Sequence, residues 1–146
     1  MSTDQRPQIR IVRLHPERDA DLPLPRYMTP GAAGCDVVAA IEAPLTLRSL
    51  QRAAVPTGIA MGIPPGYEVQ VRARSGNALR RGLALINAPG TIDSDYRGEL
   101  KILLANLSDQ DQTIVRGERI AQLVVAPAVQ ATFVQVPSLE TTERGD

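Results

Sequence analysis

The chain has 146 residues, enough for one folded domain, and its 43% apolar and 22% charged content is typical of a globular protein. Sixteen basic and sixteen acidic residues give a formal net charge of zero, which argues against a nucleic-acid partner because polyanion-binding proteins carry a basic excess. The lack of a membrane-spanning apolar run and of a signal-peptide core, together with a single cysteine that suits a reducing compartment, predicts a cytoplasmic protein with no membrane partner.

Short alternating or apolar segments between turn residues predict an all-β fold. Twelve prolines and 11 glycines interrupt the chain often, and this disfavours long helices. In chain order, we expect strands at residues 9–14, 35–40, 45–47, 51–55, 58–63, 67–74, 83–86, 99–106, 112–115, 119–126 and 129–136. One short helix is expected at residues 75–81, with Ser75 as its cap. Many short strands without crossover helices are typical of a β-barrel or a β-sandwich.

Two polar residues interrupt apolar segments. Asp36 begins an apolar strand, and by itself it is typical of a strand-entry residue that hydrogen-bonds a turn. Gln122 lies inside another apolar run, and a buried glutamine needs hydrogen-bond partners. Those partners are either backbone groups of the protein or a ligand.

A basic segment directly precedes the predicted helix. Arg72 and Arg74 come just before Ser75 and Gly76. The unpaired backbone N–H groups of a helix start favour an anion, to which arginine adds a forked donor and serine a hydroxyl. The segment indicates either a phosphate site that is not a P-loop, since no GxxxxGK[ST] occurs, or a capped helix with solvated arginines.

The segment 87–99 combines varied polar chemistry with turn residues. It contains Asn, two Asp, Tyr, Arg and Glu between apolar strands. An Asn amide both donates and accepts, as reading a nucleobase edge requires, and an Asp can act as general base on water. A Tyr offers a flat apolar face to a sugar or base. A polar hairpin is the alternative, but the density of these groups favours a functional site.

In chain order, four motifs resemble those of the trimeric dUTP diphosphatase (dUTPase) family: AGCDV at 33–37, RSGNAL at 74–79, GLALINAPGTIDSDYRGE at 82–99 and RGERIAQL at 116–123. The resemblance covers nearly the whole chain. It implies a jelly-roll-like β-barrel and a homotrimer with shared active sites. It also implies Mg²⁺ bound with the substrate and hydrolysis of dUTP to dUMP and pyrophosphate. Such a reaction limits uracil in DNA and supplies dUMP for dTMP synthesis.

The third motif carries the nucleoside-binding and catalytic residues that the resemblance implies. Asp93 is similar to the base that orients the attacking water at the α-phosphorus. Asn87 is similar to the residue whose amide reads uracil, with Gly90 and the backbone near Ile92 contributing to substrate binding. Tyr96 is similar to the residue that packs against deoxyribose and leaves no room for a 2′-hydroxyl.

The other motifs carry the phosphate-binding residues that the resemblance implies. In the second motif these are Arg74, Ser75 and Gly76, and in the fourth it is Gln122. Asp36 resembles a first-motif carboxylate that reaches Mg²⁺ indirectly, through water. Phosphoryl transfer depends on such positioning and charge neutralisation, and Mg²⁺ prefers phosphate oxygens and water to a full protein cage.

The family's fifth motif, of the RGxGGFG type, is matched only at its beginning. Arg144 and Gly145 fit its first two positions, so Arg144 is expected to bind substrate, and the sequence given stops at Asp146. We therefore expect one β-barrel domain at 1–136 and an extended carboxy-terminal arm at 137–146, truncated before the glycines. The resemblance implies that the fifth motif forms a lid, which excludes water and fixes the triphosphate. A polypeptide without this lid is expected to bind nucleotide but to turn it over slowly.

Two alternatives to a dUTPase remain open on the sequence. A dCTP deaminase-like enzyme has the same fold, but the position that resembles its proton-shuttling glutamate is Leu103. A non-catalytic nucleotide-binding regulatory protein is the second alternative, and the intact Asp93 argues against it.

Overall fold

The computed structural model describes residues 6–145, and these residues form eleven short strands and one helix. In chain order the elements are β1 (Arg10–Arg13), β2 (Cys35–Val38), β3 (Leu45–Leu47), β4 (Arg52–Pro56), β5 (Ile59–Gly62), β6 (Tyr67–Arg72), α1 (Ser75–Arg81), β7 (Leu83–Leu85), β8 (Gly90–Ile92), β9 (Lys101–Asn106), β10 (Gln112–Ile114) and β11 (Arg119–Pro127). The predicted all-β fold with one short helix is confirmed.

The strands form four antiparallel sheets. The largest has the order β2-β11-β6-β8, and a second has the order β4-β9-β7. The pairs β1-β5 and β3-β10 complete the set. Within residues 6–145 no sheet closes on itself as a hydrogen-bonded barrel, and side chains from all four sheets contribute to one hydrophobic core. The four-stranded sheet carries four of the predicted site residues, namely Asp36, Gly90, Ile92 and Gln122.

The core is aliphatic, as the scarcity of aromatic residues requires. Strand β6 shows the expected alternation, since Val69 and Val71 are buried while Glu68, Gln70 and Arg72 lie on the other face. The buried face and the polar face of β6 continue onto the neighbouring strands, because directly opposed residues in an antiparallel pair lie on the same face of the sheet. The outer face of this sheet is therefore where its polar side chains meet.

Three local predictions were wrong. Residues 129–136 form no strand; the alternating pattern is present, but this exposed segment pairs with no strand in residues 6–145. The short strand β8 was missed because Pro89 and Gly90 are typical of a turn. Ser75 is the first helical residue rather than the cap: Arg74 holds the cap position, without a side-chain capping bond.

A buried carboxylate fixes the long loop between β1 and β2. Asp19 is 1% exposed and accepts hydrogen bonds from Arg18 Nε (2.8 Å) and from Arg116 Nη1 (3.2 Å). These bonds hold the pKa of Asp19 below its usual range, although burial acts in the opposite direction. Arg13 also donates to the carbonyl of Asp19 (2.8 Å). The loop is thus attached to the sheets by charge-assisted bonds.

Among the described residues, no helix has both the length and the apolar character needed to cross a membrane.

Candidate active site

A cavity of about 380 Å³ lies between β9 and the segment that contains β8 and the loops on either side of it. Its walls are formed by Val71, Asn87, Gly90, Thr91, Ile92, Asp93, Tyr96, Glu99, Leu100, Lys101 and Leu103. The structure thus brings together five predicted site residues, here called the cavity group: Asn87, Gly90, Ile92, Asp93 and Tyr96. A cavity of this size can hold a small ligand.

Strand β8 forms one wall of the cavity and lies at the edge of its sheet. It pairs with β6 on one side, with Gly90 opposite Val71 and Ile92 opposite Val69. In residues 6–145, no strand pairs with its other side. An unpaired strand edge presents backbone N–H and C=O groups, which can bind a planar polar ligand.

Gly90 lets the start of β8 approach β6 closely. A Cβ at this position would lie 3.1 Å from the Val71 Cβ and 3.2 Å from the Asn87 Nδ2. Both separations are tighter than ordinary van der Waals contact, so a side chain at Gly90 would displace the Asn87 amide. The glycine therefore sets the position of the amide predicted to read a base.

The turn after β8 holds the Tyr96 ring in place. The Tyr96 N–H donates to the Asp93 carbonyl (3.2 Å), and the Tyr96 hydroxyl donates to the Glu99 carbonyl (3.1 Å). The ring lies over Gly98, where a Cβ would fall 2.5 Å from the Tyr96 Oη. Arg97 donates to the Ser94 carbonyl (2.6 Å). Tyr96 as a whole is 47% exposed, so part of the residue is open to a ligand.

Two polar side chains of the cavity group, those of Asn87 and Asp93, have no partner within residues 6–145. The Asn87 amide and the Asp93 carboxylate are exposed and make no hydrogen bond or ion pair there. Glu99 differs, because its Oε1 accepts from the Gly58 N–H (3.2 Å) and its Oε2 lies 4.0 Å from the Lys101 Nζ. Asn87 and Asp93 are therefore the groups available to a ligand.

A second set of predicted residues gathers at one end of the four-stranded sheet. Gln122 of β11 lies between Asp36 of β2 and Arg72 of β6 in the strand register. Arg74 Nε donates to Asp36 Oδ1 (3.0 Å), and Arg119 Nη1 lies 3.5 Å from Asp36 Oδ2. Together with Ser75 and Gly76 at the start of α1, we call Asp36, Arg74 and Gln122 the sheet-end cluster.

Several groups in the sheet-end cluster are also unpaired. The Gln122 amide is half-buried, the Ser75 hydroxyl is exposed, and neither makes a hydrogen bond in the described part of the chain. Arg80, one turn after Gly76, folds its guanidinium back: a Cβ on Gly76 would lie 2.6 Å from the Arg80 Nη2. The cluster therefore presents donors and positive charge on one side.

Within a single chain, the cavity group and the sheet-end cluster lie far apart. Continuing the register beyond Ile92 places Asp93 level with Glu68, and both line a further cavity at that end of the sheet. Arg74 is six residues further along the same extended segment, which spans about 20 Å. Arg144 is in neither group, because it lies in a turn of the exposed segment 128–145.

The sequence interpretation missed three cationic residues near these groups. Lys101 lines the cavity, Arg80 lies beside Gly76, and Arg119 contacts Asp36. The helical spacing of four residues between Gly76 and Arg80 was a usable signal. Lys101 and Arg119 carry no comparable local signal, since their positions follow from pairing between distant strands.

Comparison with known proteins bears on these groups. The dUTPase family model matches residues 20–146. The chain belongs to the dUTPase family. It is 57% identical over 126 residues to the deoxyuridine 5'-triphosphate nucleotidohydrolase of Zymomonas mobilis, covering 86% of this chain and 85% of that protein. It is 48% identical over 139 residues to the same enzyme of Fusobacterium nucleatum, covering 95% and 92%.

Solved dUTPases share the fold. The Staphylococcus bacteriophage 80alpha dUTPase, in a mutant form with dUpNHpp, superposes with a TM-score of 0.81 at 26% identity, covering 94% of each chain. The all-β architecture described above is therefore the jelly-roll-like fold of dUTPases, and the predicted family resemblance is confirmed.

Proposed function

We propose that this dUTPase hydrolyses dUTP to dUMP and pyrophosphate at a site that combines the cavity group of one chain with the sheet-end cluster of another. The observation that carries the proposal is the cavity at the free edge of β8, where Asn87 and Asp93 present unpaired polar groups. Relatives about 50% identical over most of the chain are nucleotidohydrolases acting on dUTP.

The cavity group selects the deoxyuridine part of the substrate. The Asn87 amide and the backbone at Gly90 and Ile92 bind the uracil edge, and Tyr96 packs against the deoxyribose. Cytosine reverses the donor and acceptor pattern that uracil presents. Each mismatched buried polar group costs about 1–3 kcal/mol, which accounts for discrimination between the two bases.

Asp93 acts as the general base. Its carboxylate accepts a proton from a water molecule, and that water attacks the α-phosphorus. The bond from the α-phosphorus to the bridging oxygen then breaks, and pyrophosphate leaves. Because the Asp93 carboxylate makes no hydrogen bond in residues 6–145, its lone pairs are available to the water.

The sheet-end cluster binds the phosphate chain. Arg74 supplies charge, while Ser75, the Gly76 backbone and Gln122 supply neutral donors. Asp36 limits the motion of Arg74 through their 3.0 Å hydrogen bond. We assign Arg144 a further phosphate contact, made when the arm at 137–146 lies over the site; residue 146 is outside the described residues.

The donor set fits Mg²⁺ that the substrate carries. Within residues 6–145 no group of three or more His, Cys, Asp or Glu side chains converges on one point. Both oxygens of Asp36 already face arginines, so this carboxylate would hold the ion through water. When bound, Mg²⁺ neutralises phosphate charge and orients the triphosphate.

The separation between the two groups favours a homotrimer with shared sites. About 20 Å of strand divides Asp93 from Arg74 in one chain, which is too far for both to act on one α-phosphorus. Segment 128–145 also exposes large apolar side chains, among them Phe133 at 96%, that a neighbouring subunit would cover. We treat residues 1–136 as one domain, of which 1–5 are not described, and we place the enzyme in the cytoplasm.

A deaminase is disfavoured by the cavity itself. Leu103 lines the wall where the deaminase resemblance places a proton-shuttling glutamate, and an alkyl side chain carries no proton. Incubating the protein with dUTP, dCTP and dTTP tests this directly. We expect pyrophosphate release from dUTP alone and no ammonia from dCTP. Binding of dUTP without pyrophosphate release would instead favour a regulatory protein.

Mixed oligomers test the shared site. Asp93→Asn and Arg74→Gln chains are each expected to be nearly inactive alone. After the two are unfolded together and refolded in equal amounts, about a quarter of the shared sites combine two intact groups. Roughly a quarter of wild-type activity is therefore expected. No recovery, in oligomers shown to be mixed, would place both groups in a single chain's site.

A further inference from the structure

The helix α1 follows Arg74 and begins with Ser75, yet it has no apolar anchor. It is seven residues long, and none of its residues is buried. Helices this short are unstable alone and normally depend on packing of an apolar face. Leu79, its one large apolar residue, is 87% exposed. Other contacts must therefore hold the helix in place.

Arg81, the last residue of α1, makes polar contacts that can hold the helix in place. Its Nε donates to the Gln112 side chain (3.1 Å), and its Nη2 donates to the Thr113 carbonyl (2.7 Å). Its Nη1 forms an ion pair with Glu118 Oε1. The two side chains are only 25% and 19% exposed, so water screens the pair less than a surface ion pair. All three contacts join α1 to the region of β10 and the turn that follows it.

Glu118 links this anchor to the sheet-end cluster. Its second oxygen, Oε2, accepts from the Val115 N–H (3.0 Å) and so closes the turn before β11. The next residue, Arg119, begins β11 and contacts Asp36, and Gln122 follows three residues later. The Asn77 amide donates to the Arg119 carbonyl (3.1 Å), giving α1 a second bond to the same strand.

We propose that Arg81 and Glu118 are positioning residues that fix α1, and with it Ser75 and Gly76, against the strand that carries Gln122. This inference rests on the proposed phosphate-binding role of the sheet-end cluster. Neither residue contacts substrate. The planar guanidinium satisfies three acceptors at once, which a lysine ammonium at the same position cannot match in geometry.

The test separates phosphate binding from nucleoside binding in the intact oligomer. We would measure kcat and KM for dUTP, inhibition by inorganic pyrophosphate, and binding of deoxyuridine. For Glu118→Gln and Arg81→Lys we expect pyrophosphate affinity and kcat/KM to fall about tenfold, because donors that are slightly misplaced lose much of their effect. Deoxyuridine affinity is expected to stay within about twofold. An equal loss for both ligands would overturn the proposal.

Arg116→Gln is the matched control. Arg116 lies in the same turn as Glu118, but its ion pairs are with Asp19 and Asp21 rather than with α1. This variant is expected to melt at a lower temperature while binding pyrophosphate and deoxyuridine as the wild type does. A tenfold loss of pyrophosphate affinity in this control would show that any weakening of the turn suffices, and would overturn the assignment to Arg81 and Glu118.

A double-mutant cycle and an Arg74 variant complete the test. Arg81→Gln combined with Glu118→Gln should be no worse than the more damaging single change, because both remove one coupled contact. Fully additive losses would contradict the proposal.

If Arg74→Gln leaves pyrophosphate binding unchanged, the phosphate assignment fails, and the positioning role fails with it. If Arg74→Gln abolishes binding while Glu118→Gln and Arg81→Lys have no effect, the positioning role alone is wrong. Arg81→Lys keeps the positive charge, so it remains informative should Glu118→Gln fail to fold.

Discussion

The cavity group and the sheet-end cluster hold their polar side chains in opposite ways. In the cavity group, close contacts at Gly90 and at the neighbouring Gly98 fix the shape, while the side chains of Asn87 and Asp93 make no hydrogen bond or ion pair within residues 6–145. In the sheet-end cluster, ion pairs fix the side chains, as the contact between Arg74 and Asp36 shows.

This difference matches the proposed division of the substrate between the two groups. A base and a sugar are recognised by shape and by a few directed hydrogen bonds, so a rigid backbone with unoccupied polar groups suits them. A flexible, highly charged phosphate chain is recognised by charge, so arginines held in place by carboxylates suit it. Substitutions that change shape should therefore impair binding by the cavity group most. Substitutions that change charge should impair binding by the sheet-end cluster most.

Asp93→Asn is expected to have the largest effect, although it barely changes the shape of the cavity. Loss of a general base lowers kcat by about 10²–10⁴-fold, while KM for dUTP should change little because Asn fills the same space. Single-turnover pyrophosphate release measures this change. A variant within twofold of wild type would show that the carboxylate does not activate the water.

Extending the sequence given by Gly-Gly-Phe-Gly after Asp146 is expected to raise kcat by roughly tenfold or more, since an arm that covers both groups excludes water and fixes the triphosphate. Affinity for deoxyuridine should rise less. Equal turnover of the two polypeptides would show that the lid is not needed. An extension by Gly-Gly-Ala-Gly is the control for the aromatic ring.

Gly90→Ala is expected to act on the cavity group alone. The added methyl group would press on Val71 and on the Asn87 amide, so KM for dUTP should rise about tenfold and discrimination against dCTP should weaken. Affinity for pyrophosphate should not change. Gly31→Ala is the control, because its Cβ would meet no atom within 4 Å. If both variants behave like wild type, the close approach at Gly90 does not position the amide.

Asp19→Asn is expected to affect stability and leave the chemistry unchanged. It removes a buried partner of Arg18 and Arg116, which are themselves partly exposed, so the loss of unfolding free energy at pH 7 is about 1–2 kcal/mol. Because the folded-state pKa of Asp19 is lowered, chiefly by Arg18, this stability is present above the ordinary aspartate pKa and is lost as pH falls through the folded-state value.

Thermal melts of wild type and Asp19→Asn across pH 7 to about pH 3 check that prediction. The difference in Tm should be largest at neutral pH and should shrink in acid. A difference that does not change with pH would mean that the Asp19 carboxylate is not ionised in the folded protein.

The sequence predicts features that depend on near neighbours. The alternation along β6 and the helix at 75–81 were both predicted correctly, and the residues of the cavity group lie within ten positions of each other. The pairing of Arg81 with Glu118, 37 positions apart, has no such local signal, because it arises only when α1 packs beside the turn between β10 and β11. The strand prediction for residues 129–136 was wrong for a related reason. An alternating sequence pattern does not by itself provide a neighbouring strand to pair with.

Chemical modification of Lys101 can report whether the cavity is occupied. It is the only lysine in the chain, its side chain is 54% exposed, and it stands in the cavity wall. An amine-selective acylating reagent therefore has a single side-chain target, whose modification rate reports whether a ligand occupies the cavity beside this wall. Protection by a bound nucleotide can then be followed by mass alone, without a label, a chromophore or a turnover assay.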